Sequence, residues 1–172
     1  MKNIEPPPQF LRMAWELALD AEKQAEVPVG AVICEIKTTE DGSILWEVIG
    51  SGQNRILEMK DPAAHAELLA IQNACKRKGS ERLEKAIMIS TLEPCLMCSG
   101  AAILSRLEAI YYFAPLNSGI GLKDILLIPE SRQKPLNHRP KIHLVESYQN
   151  QAETLLQNFF EKKRKKSRTE YT

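Results

Sequence analysis

The sequence has none of the long apolar segments that insertion into a membrane requires. In 172 residues no run approaches eighteen consecutive apolar residues, and residues 1–8 lack the apolar stretch of a signal peptide. Without a secretory signal, the four cysteines do not indicate a framework of disulfides. These features predict a cytoplasmic protein with no membrane segment.

The composition is that of one globular domain over residues 1–172, because 44% of the residues are hydrophobic and 26% are charged. We find no internal repeat or linker. The prolines at 6–8 end a predicted disordered arm, residues 1–8. The net charge of +1 is unevenly distributed, with +4 on residues 161–172 and −3 on residues 1–160. Such a basic tail indicates contact with phosphates, although a solvated, frayed terminus has the same composition.

The periodicity of apolar residues predicts alternating helices and strands, and hence an α/β layered domain with a partly parallel sheet. Strands are predicted at 27–34, 44–50, 86–91, 109–113 and 141–145, the first two antiparallel. Helices are predicted at 9–26, 61–75, 94–105, 122–128 and 148–166, the last of which continues into the basic tail. Asp61 is the predicted N-cap of the second helix, and Pro94 is predicted to open the third.

The chemistry is concentrated in two short motifs, His65-Ala66-Glu67 and Pro94-Cys95-Leu96-Met97-Cys98. Two thiolates three residues apart and one imidazole provide three ligands for zinc (Zn²⁺) and leave the fourth tetrahedral position for water. Zinc lowers the pKa of such a water, and Glu67 is placed to act first as base and then as acid. This pattern is typical of a catalytic zinc site that deaminates a nucleobase.

Two other interpretations of the cysteine pair are weaker. A redox pair would leave the His-x-Glu motif without a role. A structural zinc site needs a fourth protein ligand, which only Cys34 or Cys75 could supply. Both are better interpreted as small buried residues, since Cys34 lies in an apolar strand and Cys75 at the far end of its helix from His65.

Longer stretches around these motifs resemble the bacterial tRNA-specific adenosine deaminases, within the zinc-dependent cytidine and deoxycytidylate deaminase family. The stretches that carry the resemblance are 26–32, 54–55, 61–67, 91–101, 137–139 and the helix with Phe159 and Phe160. The resemblance covers residues 9 to 165. It implies a cytidine-deaminase-like three-layer α/β/α fold with a central five-stranded mixed sheet.

The resemblance also implies an activity, partners and site residues. It implies conversion of adenosine to inosine at the wobble position of a tRNA anticodon, by a homodimer. Asn54 and the backbone amide of Ala66 are expected to bind the flipped base. The anticodon stem-loop is the expected partner, and its stem phosphates are expected to meet Lys162, Lys163, Arg164, Lys165 and Lys166.

One loop departs from the pattern of this family. Relatives usually read Gly-Ala-x-Asp followed by Lys and Gly, whereas this chain reads Phe-Ala-Pro-Leu-Asn-Ser-Gly over residues 113–119. The expected acid is replaced by Leu116 or Asn117, depending on the alignment. This departure keeps open deamination of a free base or nucleotide of the guanine or cytosine type. RNA binding without catalysis is a separate alternative, which the intact His65, Glu67, Cys95 and Cys98 disfavour.

Overall fold

The structure is a computed structural model that describes residues 5–127 and 136–169, with side chains up to residue 165. Within these residues the chain forms five strands and six helices. The strands are β1 (Gly30–Thr38), β2 (Ile44–Gln53), β3 (Ala86–Leu92), β4 (Ala109–Ala114) and β5 (Lys141–Leu144). The helices are α1 (Pro8–Lys23), α2 (Ile56–Met59), α3 (Ala66–Lys78), α4 (Leu96–Leu104), α5 (Leu122–Leu127) and α6 (Glu146–Thr169).

The strands form one mixed sheet in the order β2-β1-β3-β4-β5. β1 is antiparallel to both β2 and β3, whereas β3, β4 and β5 are parallel to one another. The central strand β3 is buried over its first six residues, as expected for a strand covered on both faces. The predicted five-stranded mixed sheet and the antiparallel first pair are confirmed.

Helices cover both faces of the sheet, which confirms the three-layer α/β/α arrangement. On one face, α1 and α6 pack against a core that includes Val32, Ile89 and Phe113. On the other face, α3 and α4 pack against a second core that includes Ile33 and Met88. Side chains at odd and even positions of the same strand therefore pack on opposite faces of the sheet, as expected from the two-residue period of a strand.

Several predicted boundaries are wrong. Asp61 does not cap α3, because its Oδ1 accepts the N–H of Ala63 at 2.8 Å and closes a turn. α3 begins at Ala66 after an extended His65. Pro94 does not open α4, because its carbonyl accepts the N–H of Leu122 at 3.0 Å and the helix starts after Cys95. The short helix α2 lies in a segment predicted as a loop.

The two ends of the chain also differ from expectation. Pro8 is the first residue of α1 and Pro6 is buried, so the predicted disordered arm does not extend through residues 6–8. Proline is favoured at this first helical position because its missing N–H would have no partner there. Residues 1–4, residue 128 of the fourth predicted helix and residues 170–172 lie outside the described residues. Helix α6 begins two residues earlier than predicted, and it runs on to Thr169.

None of the helices in the described part of the chain is long and apolar enough to cross a membrane.

A close approach between β2 and α3 sets the position of the segment that carries His65 and Glu67. A Cβ added at Gly52 would lie 2.4 Å from the carbonyl oxygen of Ala66, which is rigid backbone. We expect Gly52→Ala to lower the free energy of unfolding by about 1–3 kcal/mol, because the helix must move away from the sheet. Denaturant unfolding measures this change. The matched variant Gly100→Ala meets no atom within 4 Å and should not be destabilised; equal losses in both would contradict the prediction.

Candidate metal centre and active site

Two helix N-termini bring the three predicted metal ligands together. His65 is the N-cap of α3, Cys95 is the N-cap of α4, and Cys98 lies one turn into α4. His65 Nδ1 lies 3.7 Å from each sulfur, and the two sulfurs are 3.6 Å apart. Among the described residues, these three form the one group whose ligand atoms could hold a metal ion.

The distances fit a tetrahedral zinc ion. With Zn–S near 2.3 Å and Zn–N near 2.0–2.1 Å, tetrahedral angles require sulfurs about 3.8 Å apart and a nitrogen about 3.6 Å from each sulfur. The observed separations of 3.6 and 3.7 Å differ from these values by about 0.2 Å or less. The three side chains therefore fit a tetrahedral zinc ion, with two thiolates and one imidazole as the donor set.

The electrostatics of the cluster favour a thiolate at Cys95. Donation from the Cys98 thiol, and then the neighbouring His65, lower the pKa of Cys95 to about 3. The same hydrogen bond and burial raise the pKa of Cys98. Hydrogen bonding to Cys95 raises the pKa of His65. A divalent cation bound here would be held by both sulfurs as thiolates.

Glu67 is buried beside the cluster without being one of its ligands. It is the second residue of α3, only 3% of it is exposed, and its carboxyl contacts the Cys98 thiol. Burial raises the pKa of Glu67 to about 7. A carboxyl group with a pKa near neutrality can both accept and return a proton, which is what hydrolytic deamination requires.

Asn54 lies at the end of β2 and contacts the start of α3. Its Oδ1 accepts the N–H of Ala66 at 2.9 Å, and its own N–H donates to the Val29 carbonyl at 3.0 Å. No residue in the described ranges accepts a hydrogen bond from Asn54 Nδ2, and since no buried side-chain nitrogen there lacks a partner, this atom reaches solvent. The amide of Ala66 is therefore engaged by Asn54, and the side-chain Nδ2 is the group left available at this position.

The other two cysteines lie outside the cluster. Cys34 is fully buried in β1, and burial raises its pKa to about 12. Cys75 lies near the C-terminal end of α3, where its thiol donates weakly to the Glu81 carbonyl at 3.8 Å. Neither supplies a fourth ligand, so a structural zinc site is not supported.

Lys162, Lys163, Arg164 and Lys165 are exposed but differ in their surroundings. Lys162 pairs with Glu22 of α1 at 3.2 Å, and Lys163 lies 5.0 Å above the ring of Phe159. Arg164 lines a pocket of about 420 Å³ between α6 and residues 115–118. The exposed Lys165 follows it on α6, and the side chain of Lys166 lies outside the described residues.

Other residues in the stretches that resemble the family contribute packing and hydrogen bonds to the fold. Phe159 is buried, whereas Phe160 is 44% exposed and lines the pocket of Arg164. In the segment 137–139, His138 donates from Nε2 to the Leu107 carbonyl at 2.6 Å, and Arg139 donates to the Leu126 carbonyl at 3.2 Å.

Sequence reasoning did not identify two buried carboxylates near the site. Glu26 Oε1 accepts the N–H groups of Leu57 and Glu58 at 2.7 and 3.0 Å, which fixes α2. Glu93 accepts the N–H of Leu116, in the loop after β4, and the N–H of Lys123, in the first turn of α5. Both residues lie inside stretches that carry the family resemblance, and a charged residue beside an apolar strand was the signal that could have indicated them.

A His/Cys/Cys cluster with a buried, non-ligating glutamate defines a zinc-dependent nucleobase deaminase. The family model of the cytidine and deoxycytidylate deaminase zinc-binding region matches residues 5–114. The chain is 40% identical over 155 residues to the tRNA-specific adenosine deaminase of Aquifex aeolicus, covering 90% of this chain and 94% of that protein. The chain belongs to the zinc-binding cytidine and deoxycytidylate deaminase family.

Two solved structures extend the comparison. One, from a study of A-to-I editing by tRNA deaminases at the wobble position, is 31% identical with a TM-score of 0.71; the match covers 87% of this chain and 100% of that one. The guanine deaminase of Bacillus subtilis is also 31% identical, with a TM-score of 0.55 and coverage of 82% of this chain and 86% of that one. The cytidine-deaminase-like fold is thus confirmed.

Proposed function

We propose that this protein hydrolyses adenosine to inosine at the wobble position of a tRNA anticodon. The observation that carries the proposal is the cluster of His65, Cys95 and Cys98 with Glu67 buried against it. The tRNA-specific relative and the wobble-editing structure match nearly their whole length, which favours the same substrate over other nucleobases.

Metal binding and proton transfer are assigned to different residues. His65, Cys95 and Cys98 hold zinc, which when bound supplies an activated water for attack on the carbon that carries the amine. Glu67 takes one proton from the attacking water and delivers it to a ring nitrogen of adenine; it then takes the second proton from the newly attached hydroxyl and gives it to the amine, which leaves as ammonia. Because one carboxylate acts in both directions, a second acid is not required.

Asn54 is proposed to bind the flipped base through Nδ2, the group that none of the described residues engages. Ala66 then contributes to base binding indirectly, because its N–H donates to Asn54 Oδ1 and so orients the Asn54 side chain. An aspartate at position 54 keeps the acceptor for Ala66 but cannot donate, so the two roles can be separated by substitution.

We expect Asn54→Asp to retain the fold and to lower kcat/KM on an anticodon stem-loop by about 10- to 100-fold, the cost of one unpaired polar group. Thermal unfolding and inosine kinetics measure the two effects. Asn73→Asp is the matched control, since Asn73 lies on α3 and donates to the Ser51 carbonyl away from the cluster. Full activity of Asn54→Asp would show that Asn54 only caps the helix.

The basic tail is proposed to bind phosphates of the anticodon stem. We expect replacement of Lys163, Arg164 and Lys165 by Gln to raise KM, and to reduce the slope of log affinity against log salt by about 0.7–0.9 for each phosphate that is no longer neutralised. Steady-state kinetics at several salt concentrations test this. Replacing the basic run 76–78 of α3 changes charge equally and serves as the control; equal effects from both would contradict specific binding by the tail.

Two further expectations stay predictions: a homodimer, which the family resemblance implies, and a cytoplasmic location, which the sequence features predict. Sedimentation of the purified protein tests the first, and localisation of a tagged chain in cells tests the second.

A second candidate, a free-base deaminase, is favoured by the likeness to guanine deaminase and by the missing acid in residues 113–119. Turnover of an anticodon stem-loop should be compared with turnover of free guanine and cytidine. Our proposal expects product only from the RNA. Rapid turnover of guanine with none of RNA would replace it with the second candidate.

A further inference from the structure

The buried carboxylate of Glu93, two residues before Cys95, binds backbone N–H groups of a loop rather than a metal ion or a basic side chain. Only 4% of Glu93 is exposed, and in the described residues no lysine, arginine or histidine pairs with it. Its Oε2 accepts the N–H of Leu116 at 3.2 Å, and its Oε1 accepts the N–H of Lys123 at 2.8 Å. Burying a charge costs several kcal/mol unless hydrogen bonds compensate it, so these two bonds are what support it.

The two bonds hold opposite ends of one segment, residues 116–123, which consists of the loop after β4 and the first two residues of α5. We call this segment the wall loop. Further contacts join this loop to the start of the cysteine motif. The N–H of Leu122 donates to the Pro94 carbonyl at 3.0 Å, and Gly121 forms an isolated antiparallel bridge with Cys95. A Cβ at Gly121 would lie 2.7 Å from Glu93 Oε1, so the loop backbone is in direct contact with the carboxylate.

The wall loop forms one side of the pocket that Arg164 also lines. Leu116, Asn117 and Ser118 face that pocket, opposite Phe160 and Arg164 of α6. A loop free to move would have to be ordered each time a polynucleotide bound, and that ordering would cost binding free energy. Glu93 removes this cost by fixing both ends of the loop in advance.

We propose that Glu93 is a positioning residue that holds the wall loop ready for the RNA strand beside the target base. It acts on binding through Leu116 and Lys123 and takes no part in proton transfer. The kinetic part of this inference rests on the proposed function, whereas the structural part does not.

The substitution Glu93→Gln tests the inference, because the two carboxylate oxygens serve different N–H groups. A glutamine has one oxygen, so an NH₂ group must face one of the two loop amides. Glu26→Gln is a matched control: both N–H groups that Glu26 binds go to the same oxygen, Oε1, so a glutamine keeps both bonds. The two substitutions remove the same charge from equally buried positions.

For Glu93→Gln we expect KM for an anticodon stem-loop to rise by about tenfold, with kcat changed by less than about twofold and zinc content unchanged. Amide hydrogen exchange at Leu116 and Lys123 should become at least about tenfold faster. Glu26→Gln should leave KM and those two exchange rates as in the unmodified protein. Should Glu93→Gln fail to fold, Gly121→Ala displaces the same carboxylate and should raise KM in the same way.

Wild-type exchange rates in the wall loop of Glu93→Gln would overturn the inference. Faster exchange with unchanged KM would overturn its binding role, and loss of zinc would show that Glu93 supports the metal ligands instead. If the unmodified protein made no inosine in RNA, the proposed function would fail, while the exchange rates would still report whether Glu93 holds the loop.

Discussion

Glu67→Gln is expected to lower inosine formation by about 10²- to 10⁴-fold, the usual contribution of a positioned acid–base group. The amide has nearly the same shape as the carboxyl group, so the buried space beside Cys98 stays filled. It cannot accept a proton from water or return one to the leaving ammonia. Zinc should remain bound, because Glu67 is not among the three residues whose ligand atoms converge.

Single-turnover kinetics on an anticodon stem-loop, with zinc measured in the same sample, test this expectation. Glu81→Gln is the control, since Glu81 is a highly exposed carboxylate beyond the far end of α3. Inosine formation by Glu67→Gln at the rate of the unmodified protein would remove Glu67 from the mechanism. Loss of zinc from this variant would show instead that Glu67 supports the metal ligands.

Cys98→Ser is expected to abolish both zinc binding and activity. A hydroxyl group is a much weaker zinc ligand than a thiolate, and with it the first coordination sphere loses one of its three protein donors. Cys98 is fully buried, and no other ligand group in the described part of the chain converges on the site to replace it. We expect zinc content well below one equivalent and inosine formation reduced by more than about 10³-fold.

Cys75→Ser is the matched control, because the half-buried Cys75 lies at the other end of α3, where its thiol contacts the Glu81 carbonyl. It should keep zinc and activity. Removal of zinc from the unmodified protein by a chelator should reproduce the loss seen in Cys98→Ser, and added zinc should restore activity only in the unmodified protein. Full activity of Cys98→Ser would contradict the assigned ligand set.

The sequence was sufficient to predict the layers of the fold and the three side chains that converge on a possible metal site. The metal ligands can be recognised from their spacing, because two cysteines three residues apart, combined with a His-x-Glu motif, occur in few other kinds of site. The strands were predictable where their apolar pattern is strong, as in β3 and β4. Both kinds of signal lie in short stretches of sequence, so they can be recognised without knowledge of the tertiary structure.

Helix starts and buried carboxylates could not be predicted in the same way. Pro94 is a good first residue for a helix, yet its carbonyl binds Leu122, a partner 28 residues away in the sequence. Asp61 is a good N-cap, but its side chain closes a turn with Ala63. The role of Glu93 depends on Leu116 and Lys123, which are more than twenty residues away in the sequence. In each case the local sequence allows several hydrogen-bond partners, and the tertiary structure determines which of them comes within reach.

The most direct test of the proposed function uses total tRNA. The protein is incubated with unmodified tRNA, and inosine is then mapped by sequencing. Our account predicts inosine at the wobble adenosine of a small set of tRNAs, formed at least about 10²-fold more slowly by Glu67→Gln. Absence of inosine from every tRNA, in a sample of the unmodified protein that contains a full equivalent of zinc and deaminates a free base, would contradict it.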